Sequence, residues 1–204
     1  MKCQTFYSRD TTPKQLYDLL TGAVVPRPIA WVSTLSETGI SNVAPFSFFS
    51  VASVNPPVLS ITQVFPKPGA DKDTLRNLRA TQECVVNVVS ADQAAIMNAT
   101  SKDYPSNVSE IETLAIATVA SRCVKPPGIA ASPIRMECKL RNILEIGNGK
   151  TMLLDVVIFE VAEKLLTSAS TLHSASMMAV GRLGQDEYTV ASEVFKMTRP
   201  ARFT

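Results

Sequence analysis

The stretch RMECKLRNILEIGNGKTMLLDVVIFEVAEKL, residues 135–165, constrains the fold more than any other part of the chain. Met136, Cys138, Leu140, Leu144 and Ile146 alternate with Arg135, Glu137, Lys139 and Arg141, the period of two that sends successive side chains to opposite faces of a strand. GNGK, residues 147–150, breaks the pattern with tight-turn chemistry. Two long strands this close in sequence must pair antiparallel, because a parallel return needs a crossover of about a dozen residues or more. Few long helical patterns accompany them. A mainly β chain with short helices, built as an antiparallel barrel, is therefore expected.

The remaining segments fit that frame. A short helix is expected over 13–20, with Pro13 in the first turn and Gly22 as the stop. IAWVSTL and the segment around 41–44, separated by a Gly39 turn, form a hairpin pattern. NPPVLSITQVF supplies a further strand that Pro66 and Pro68 are expected to close. KDTLRNLRATQECVVNVVS passes from helix to buried strand, with Asp73 as the expected N-cap. A helix is expected over 92–99, then a loop-rich excursion over 100–133 that is dense in Ser, Thr and Pro.

The chain has 204 residues, 46% of them hydrophobic, enough for one core and a single domain over 1–204. With 20 basic and 18 acidic residues, no broad charged footprint for nucleic acid or an anionic membrane is expected. No run approaches the roughly 20 apolar residues that span a bilayer, and MKCQTFYSRDTT has no apolar signal segment. Cys3, Cys84, Cys123 and Cys138 lack CxxC spacing, so reduced thiols in a cytoplasmic protein are expected.

His173 is the one histidine, which leaves no basis for a multi-histidine metal site or a histidine triad. Neither a P-loop nor a GxGxxG fingerprint occurs. A site with few acid/base residues can still be an enzyme if a cofactor supplies the reactive atom. RPIAWVSTLSETGISNVAPFSFFS, residues 27–50, sets Ser33, Thr34, Asn42 and Ser47 within an apolar frame. Fixed donors and acceptors around an apolar slot suit a flat heteroaromatic ring. Turn and edge-strand hydrogen bonding is the other reading of the same residues. Lys72, Asp73 and Thr74 stand at an expected helix start, where free N–H groups attract an anion. Ser101 and Lys102 could approach the same phosphate.

Taken in order, VPRPIAWVST, NVAPFSFFS, NPPV, KDTLRNL, SKDYP, MECKL and GRLGQDEYT cover most of the chain and resemble the flavin reductase-like family of FMN-binding split β-barrels. The resemblance implies a six-stranded antiparallel, Greek-key-type barrel that binds FMN, normally as a homodimer. It implies that Trp31, Val32, Ser33 and Thr34, with Asn42, Ala44, Pro45, Phe46, Ser47, Phe48 and Phe49, line the ring and ribityl chain. Lys72, Asp73 and Thr74 would lie near the phosphate end, Ser101 and Lys102 on a neighbouring loop, and Arg182 with Leu183 and Gly184 at the pocket border. Many relatives carry a histidine just after the second long strand, where this chain has FEVAEKLLTS and none.

The implied activity is that of an NAD(P)H:flavin oxidoreductase, in which a hydride passes from nicotinamide to flavin N5 and electrons go on to a flavin, a monooxygenase or another acceptor protein. That step depends on ring alignment at roughly 3–3.5 Å more than on a protein acid or base. A flavoredoxin-like carrier without nicotinamide turnover, and a non-catalytic flavin-binding barrel, are the alternatives.

Overall fold

A computed structural model describes residues 1–64, 71–168 and 171–200. The expected closing prolines, Pro66 and Pro68, lie outside the described residues. In chain order the elements are α1 (Pro13–Ala23), β1 (Arg27–Pro28), β2 (Ala30–Leu35), β3 (Ser41–Phe46), β4 (Phe49–Val54), β5 (Pro57–Val64), α2 (Asp73–Thr81), β6 (Glu83–Val88), α3 (Ala94–Ala99), α4 (Glu110–Thr113), β7 (Thr118–Val119), β8 (Gly128–Ile129), β9 (Ile134–Ile146), β10 (Gly149–Val161), β11 (Val180–Arg182) and β12 (Tyr188–Val190).

Seven strands form one antiparallel sheet in the order β3-β2-β6-β9-β10-β5-β4. Its two edge strands are consecutive in sequence, separated only by the bend at Ser47 and Phe48. The three Cα steps from Phe46 to Phe49 span at most about 10–11 Å, so the sheet must curl to bring these two strand ends together. The Thr62 amide, which donates to the Phe48 carbonyl at 2.8 Å, ties that bend to β5. The expected six strands become seven because residues 49–54, FSVASV, form an edge strand whose exposed side chains carry no clear alternation.

The hairpin of β9 and β10 pairs antiparallel with two register shifts, at Leu153/Leu154 and at Val156/Ile158, and turns through Gly147 at φ +58°. The first shift changes the face after Leu140, so Ile143 packs against the barrel core while Leu144 and Ile146 are exposed. Glu137, on the charged side of the alternation, is nevertheless buried. The excursion over 100–133 folds across it, and the amides of Arg122, Cys123 and Val124 donate to its carboxylate at 2.7, 2.6 and 3.2 Å.

Two cores result. Ala30, Val32, Phe46, Leu59, Ile61, Leu75, Leu78 and Met152 are among the residues that fill the barrel. Ile29, Trp31, Val43, Met97, Ile111 and Val180 are among those packed on its outer side under α3, α4 and β11. Strand β2 is thus covered on both faces, which is why its sequence shows no polar face. The helices differ modestly from expectation. α1 runs to Ala23 through Gly22, and Thr12 caps it in a reciprocal capping box with Gln15. Lys72, not Asp73, takes the N-cap backbone position of α2. Asp73 instead enters the first turn and pairs with Arg76.

Candidate functional site

Strand β3 ends at Phe46, and Pro45 at its end and Ser47 and Phe48 in the bend that follows are half-buried along the split between the barrel edges. Two hollows meet there. The larger, about 350 Å³, is lined by Tyr17, Thr21, Arg27, Pro45, Ser47, Met97, Ser101, Arg182 and Tyr188, among others. The smaller, about 160 Å³, is lined by Tyr17, Pro45, Phe46, Ser47, Phe48, Thr62, Gln63, Val64 and Lys72. Tyr17, Pro45 and Ser47 belong to both, so the hollows are lobes of one groove.

Helix α1 forms one wall of this groove because Arg27 holds its end. The Arg27 guanidinium donates to the carbonyls of Thr21 and Val24, the latter at 2.8 Å, and to that of Leu183 at 2.7 Å. A cation against the last carbonyls of a helix satisfies orphan acceptors and complements the dipole. It also joins α1 to the segment after β11. Burial pulls the Arg27 pKa down from its ordinary value, and the nearby Arg182 pushes the same way. Phe48 lies 6.4 Å from Tyr17 between ring centroids, with the Arg27 guanidinium 5.9 Å from its own. Arg182 is held over the Tyr188 ring at 4.4 Å and donates to the Tyr188 hydroxyl and the Gln185 carbonyl.

Two residues that line this groove each keep one buried polar atom without a partner among the described residues: Arg27 at Nε and Gln63 at Oε1. An unpaired buried donor or acceptor costs about 1–3 kcal/mol, a cost that a ligand reaching either residue from the groove would relieve. One is a donor and the other an acceptor. A mixed-polarity ligand with an anionic end would satisfy both and meet Lys72. FMN, with ring edge acceptors, a hydroxylated chain and a phosphate, fits that donor set.

The sequence-derived residues divide sharply. The groove gathers Pro45, Phe46, Ser47, Phe48, Lys72, Ser101 and Arg182. Val32, Ala44 and Phe49 pack in or against the barrel core. Trp31 is buried, its indole N–H bonded to the Thr100 hydroxyl at 2.9 Å. The Ser33 hydroxyl donates to the Pro127 carbonyl at 2.6 Å. Thr34, Asn42 and Thr74 bond to one another in a buried cluster described below, and Asp73 faces Arg76. Lys102 sits over the Tyr104 ring at 5.6 Å, away from the groove lining.

Tyr17, Arg27, Gln63, Met97 and Tyr188 were not anticipated as lining residues. A signal existed for two of them: Arg27 is a charge between prolines at the mouth of a buried strand, and Gln63 interrupts the inward apolar series of β5. His173 is exposed and its Nδ1 shares a 2.7 Å hydrogen bond with the Ser176 hydroxyl. A still larger cleft, about 990 Å³, lies over β10 and includes none of the expected residues. Its prominent charges already pair, Arg122 and Arg135 each reaching Glu160 at 3.0 Å.

Residues 22–179 match the flavin reductase like domain. The chain belongs to the flavin reductase-like family. An uncharacterised protein of Halalkalibacterium halodurans is 37% identical over 193 residues, covering 92% of this chain and 92% of that protein. Among solved structures, nitrilotriacetate monooxygenase component B from Bacillus cereus is 32% identical with a TM-score of 0.92, covering 97% of this chain and 100% of that one. The 2-nitrobenzoate 2-nitroreductase of Pseudomonas fluorescens is 28% identical with a TM-score of 0.89, covering 98% of each chain. The architecture is the split barrel of flavin reductases, and the family match spans both lobes of the groove except for Tyr17, Asp18 and Thr21 on α1 and the stretch from Arg182 to Tyr188. Among the described residues, no helix is long and apolar enough to cross a membrane.

Proposed function

We propose that this chain is an FMN-dependent, cytoplasmic NAD(P)H:flavin oxidoreductase that works as a homodimer, with residues 1–204 forming one domain. The observation that carries this reading is the two-lobed groove lined on one lobe by Arg27 and on the other by Gln63, each of which keeps a buried polar atom without a partner among the described residues. Family membership supplies the redox class, and the monooxygenase component and nitroreductase likenesses favour an enzyme that delivers electrons to an acceptor.

When bound, FMN supplies the hydride-accepting centre that the polypeptide lacks. The protein's own residues hold and orient. Pro45 and Met97 provide apolar walls for the ring in the larger lobe, and Arg27 and Arg182 supply donors at its edge. Ser47 sits at the junction of the lobes, and Lys72 meets the phosphate. No side chain is required to carry a proton in the hydride step. Ring alignment in a walled slot supplies the rate advantage of proximity.

The test is a visible spectrum of the purified protein with and without added FMN, followed by anaerobic NADH or NADPH. A perturbed flavin spectrum that bleaches with either nucleotide is expected. Perturbation without bleaching would leave an electron carrier that draws on a protein partner. An unperturbed spectrum at saturating FMN would overturn the reading.

A further inference from the structure

The inward side of β5 presents Leu59, Ile61 and Gln63 in turn. The first two are 5% and 1% exposed and belong to the barrel core, and Gln63 is 4% exposed. At the third inward position the alternation calls for an aliphatic side chain. The chain places an amide there instead and leaves its Oε1 without a partner among the described residues. Its neighbours are occupied: the Thr62 and Thr151 hydroxyls share a 2.8 Å bond across the strands. Such an atom is unfavourable in the free protein and becomes favourable when a ligand donor reaches it. Gln63 itself lines the smaller lobe, together with Phe46, Ser47 and Lys72, with its orphaned oxygen buried behind the lining.

We propose that Gln63 recognises the polyol chain of the flavin, and so selects ligands that carry hydroxyl groups between the ring and the anionic end. This rests on the flavin reading above. The chemistry of the lobe points to that part of the ligand. A lone acceptor is satisfied by an O–H donor and repels a phosphate, whereas Lys72 in the same lobe attracts the phosphate. The flat ring matches the larger hollow, about 350 Å³ against about 160 Å³. What lies between ring and phosphate is a run of hydroxyls. Half a turn of the amide would put its N–H₂ in the same place and aim it at the phosphate, an arrangement with a different signature.

The experiment is a calorimetric titration of wild type and Gln63→Met with FMN, riboflavin and lumiflavin, the last being the ring without its polyol. Loss of one neutral hydrogen bond corresponds to roughly a five- to tenfold change in affinity. FMN and riboflavin are expected to weaken by that same factor, lumiflavin to be unchanged, and the ligand-free variant to melt no lower than wild type. Gln63→Glu, which keeps an acceptor, is expected to retain riboflavin affinity near wild type while weakening FMN through its charge. A loss confined to FMN in Gln63→Met would put the amide on the phosphate and overturn the assignment. Equal losses for all three ligands, no loss at all, or a riboflavin loss in Gln63→Glu as large as in Gln63→Met would make Gln63 a packing residue. If wild type binds none of the three, the flavin reading itself fails and takes this assignment with it. Wild-type binding with no selective effect of the variants would fail this assignment alone.

Discussion

Two buried polar regions lie within one barrel and treat their hydrogen bonds in opposite ways. At the end closed by α2, the Asn42 amide donates to both Glu110 oxygens at 3.0 Å, and its carbonyl accepts from Thr74 at 2.9 Å and Thr34 at 3.3 Å. Asn77 donates to Thr34 at 3.0 Å, and the Val43 amide reaches Glu110 at 3.2 Å. Each of these residues has its partners inside the chain. Along the split, Arg27 and Gln63 are as deeply buried, and each keeps one atom unpaired. A satisfied cluster fixes the register of a fold, and an unsatisfied one waits for something from outside. Both look alike in sequence, as Asn, Gln, Thr and Ser among apolar residues.

Asn42→Leu tests the comparison most severely. It takes the Asn42 amide from the Glu110 carboxylate, which keeps the Val43 N–H, and removes the shared acceptor of the Thr34 and Thr74 hydroxyls. Stability is expected to fall by roughly 3 kcal/mol or more, measured by urea denaturation, with flavin affinity of the folded fraction little changed. A variant that folds as stably as wild type but no longer takes up FMN would break the comparison and return Asn42 to the cofactor site.

How far the sequence revealed each region follows from the physics. The hairpin of β9 and β10 was legible because one side faces the barrel core over much of its length, so alternation survives in Met136, Cys138 and Leu140. Strand β2 concealed its role, since Ala30 and Val32 face the barrel while Trp31 packs outside, and burial on both sides erases the pattern. Strand β4 was invisible because its residues face solvent at an edge. In the groove, Ser47, Lys72 and Ser101 were candidates from their own chemistry and placement, whereas Pro45 and Arg182 came through resemblance. Gln63 could have been found from Leu59-x-Ile61-x-Gln63 alone. Tyr17 could not, because an exposed helix residue becomes a wall only once Arg27 has pinned α1 beside the bend.

Lys72→Glu sharpens the comparison from the groove side. Lys72 is exposed and makes no ion pair among the described residues, so its reversal should leave the thermal melt within about 0.5 kcal/mol of wild type. FMN affinity is expected to fall roughly tenfold at low salt and less at high salt, because solvent-exposed charges are screened. Riboflavin, which lacks the phosphate, should respond far less. An equal loss for both ligands would mean that Lys72 shapes the lobe and does not read the phosphate.

Even the satisfied cluster has a residual cost, and Glu110 is where it can be measured. Burial raises the Glu110 pKa, and the bonds from the Val43 amide and Asn42 lower it without cancelling that effect. The folded state therefore holds the proton more tightly than the unfolded chain, whose glutamates titrate near about 4.3. A group shifted in this direction contributes its stability fully below the unfolded pKa and loses it as pH rises through the folded one. Glu110→Gln has no proton to lose, so wild type should lose ground against the variant as pH climbs from the acid side through that window, then hold a constant difference. Denaturation midpoints of both proteins across the carboxylate range would show it. A difference moving in the opposite direction would mean that the hydrogen bonds of the cluster outweigh its burial, making the cluster a stabilised anion site rather than a tolerated one.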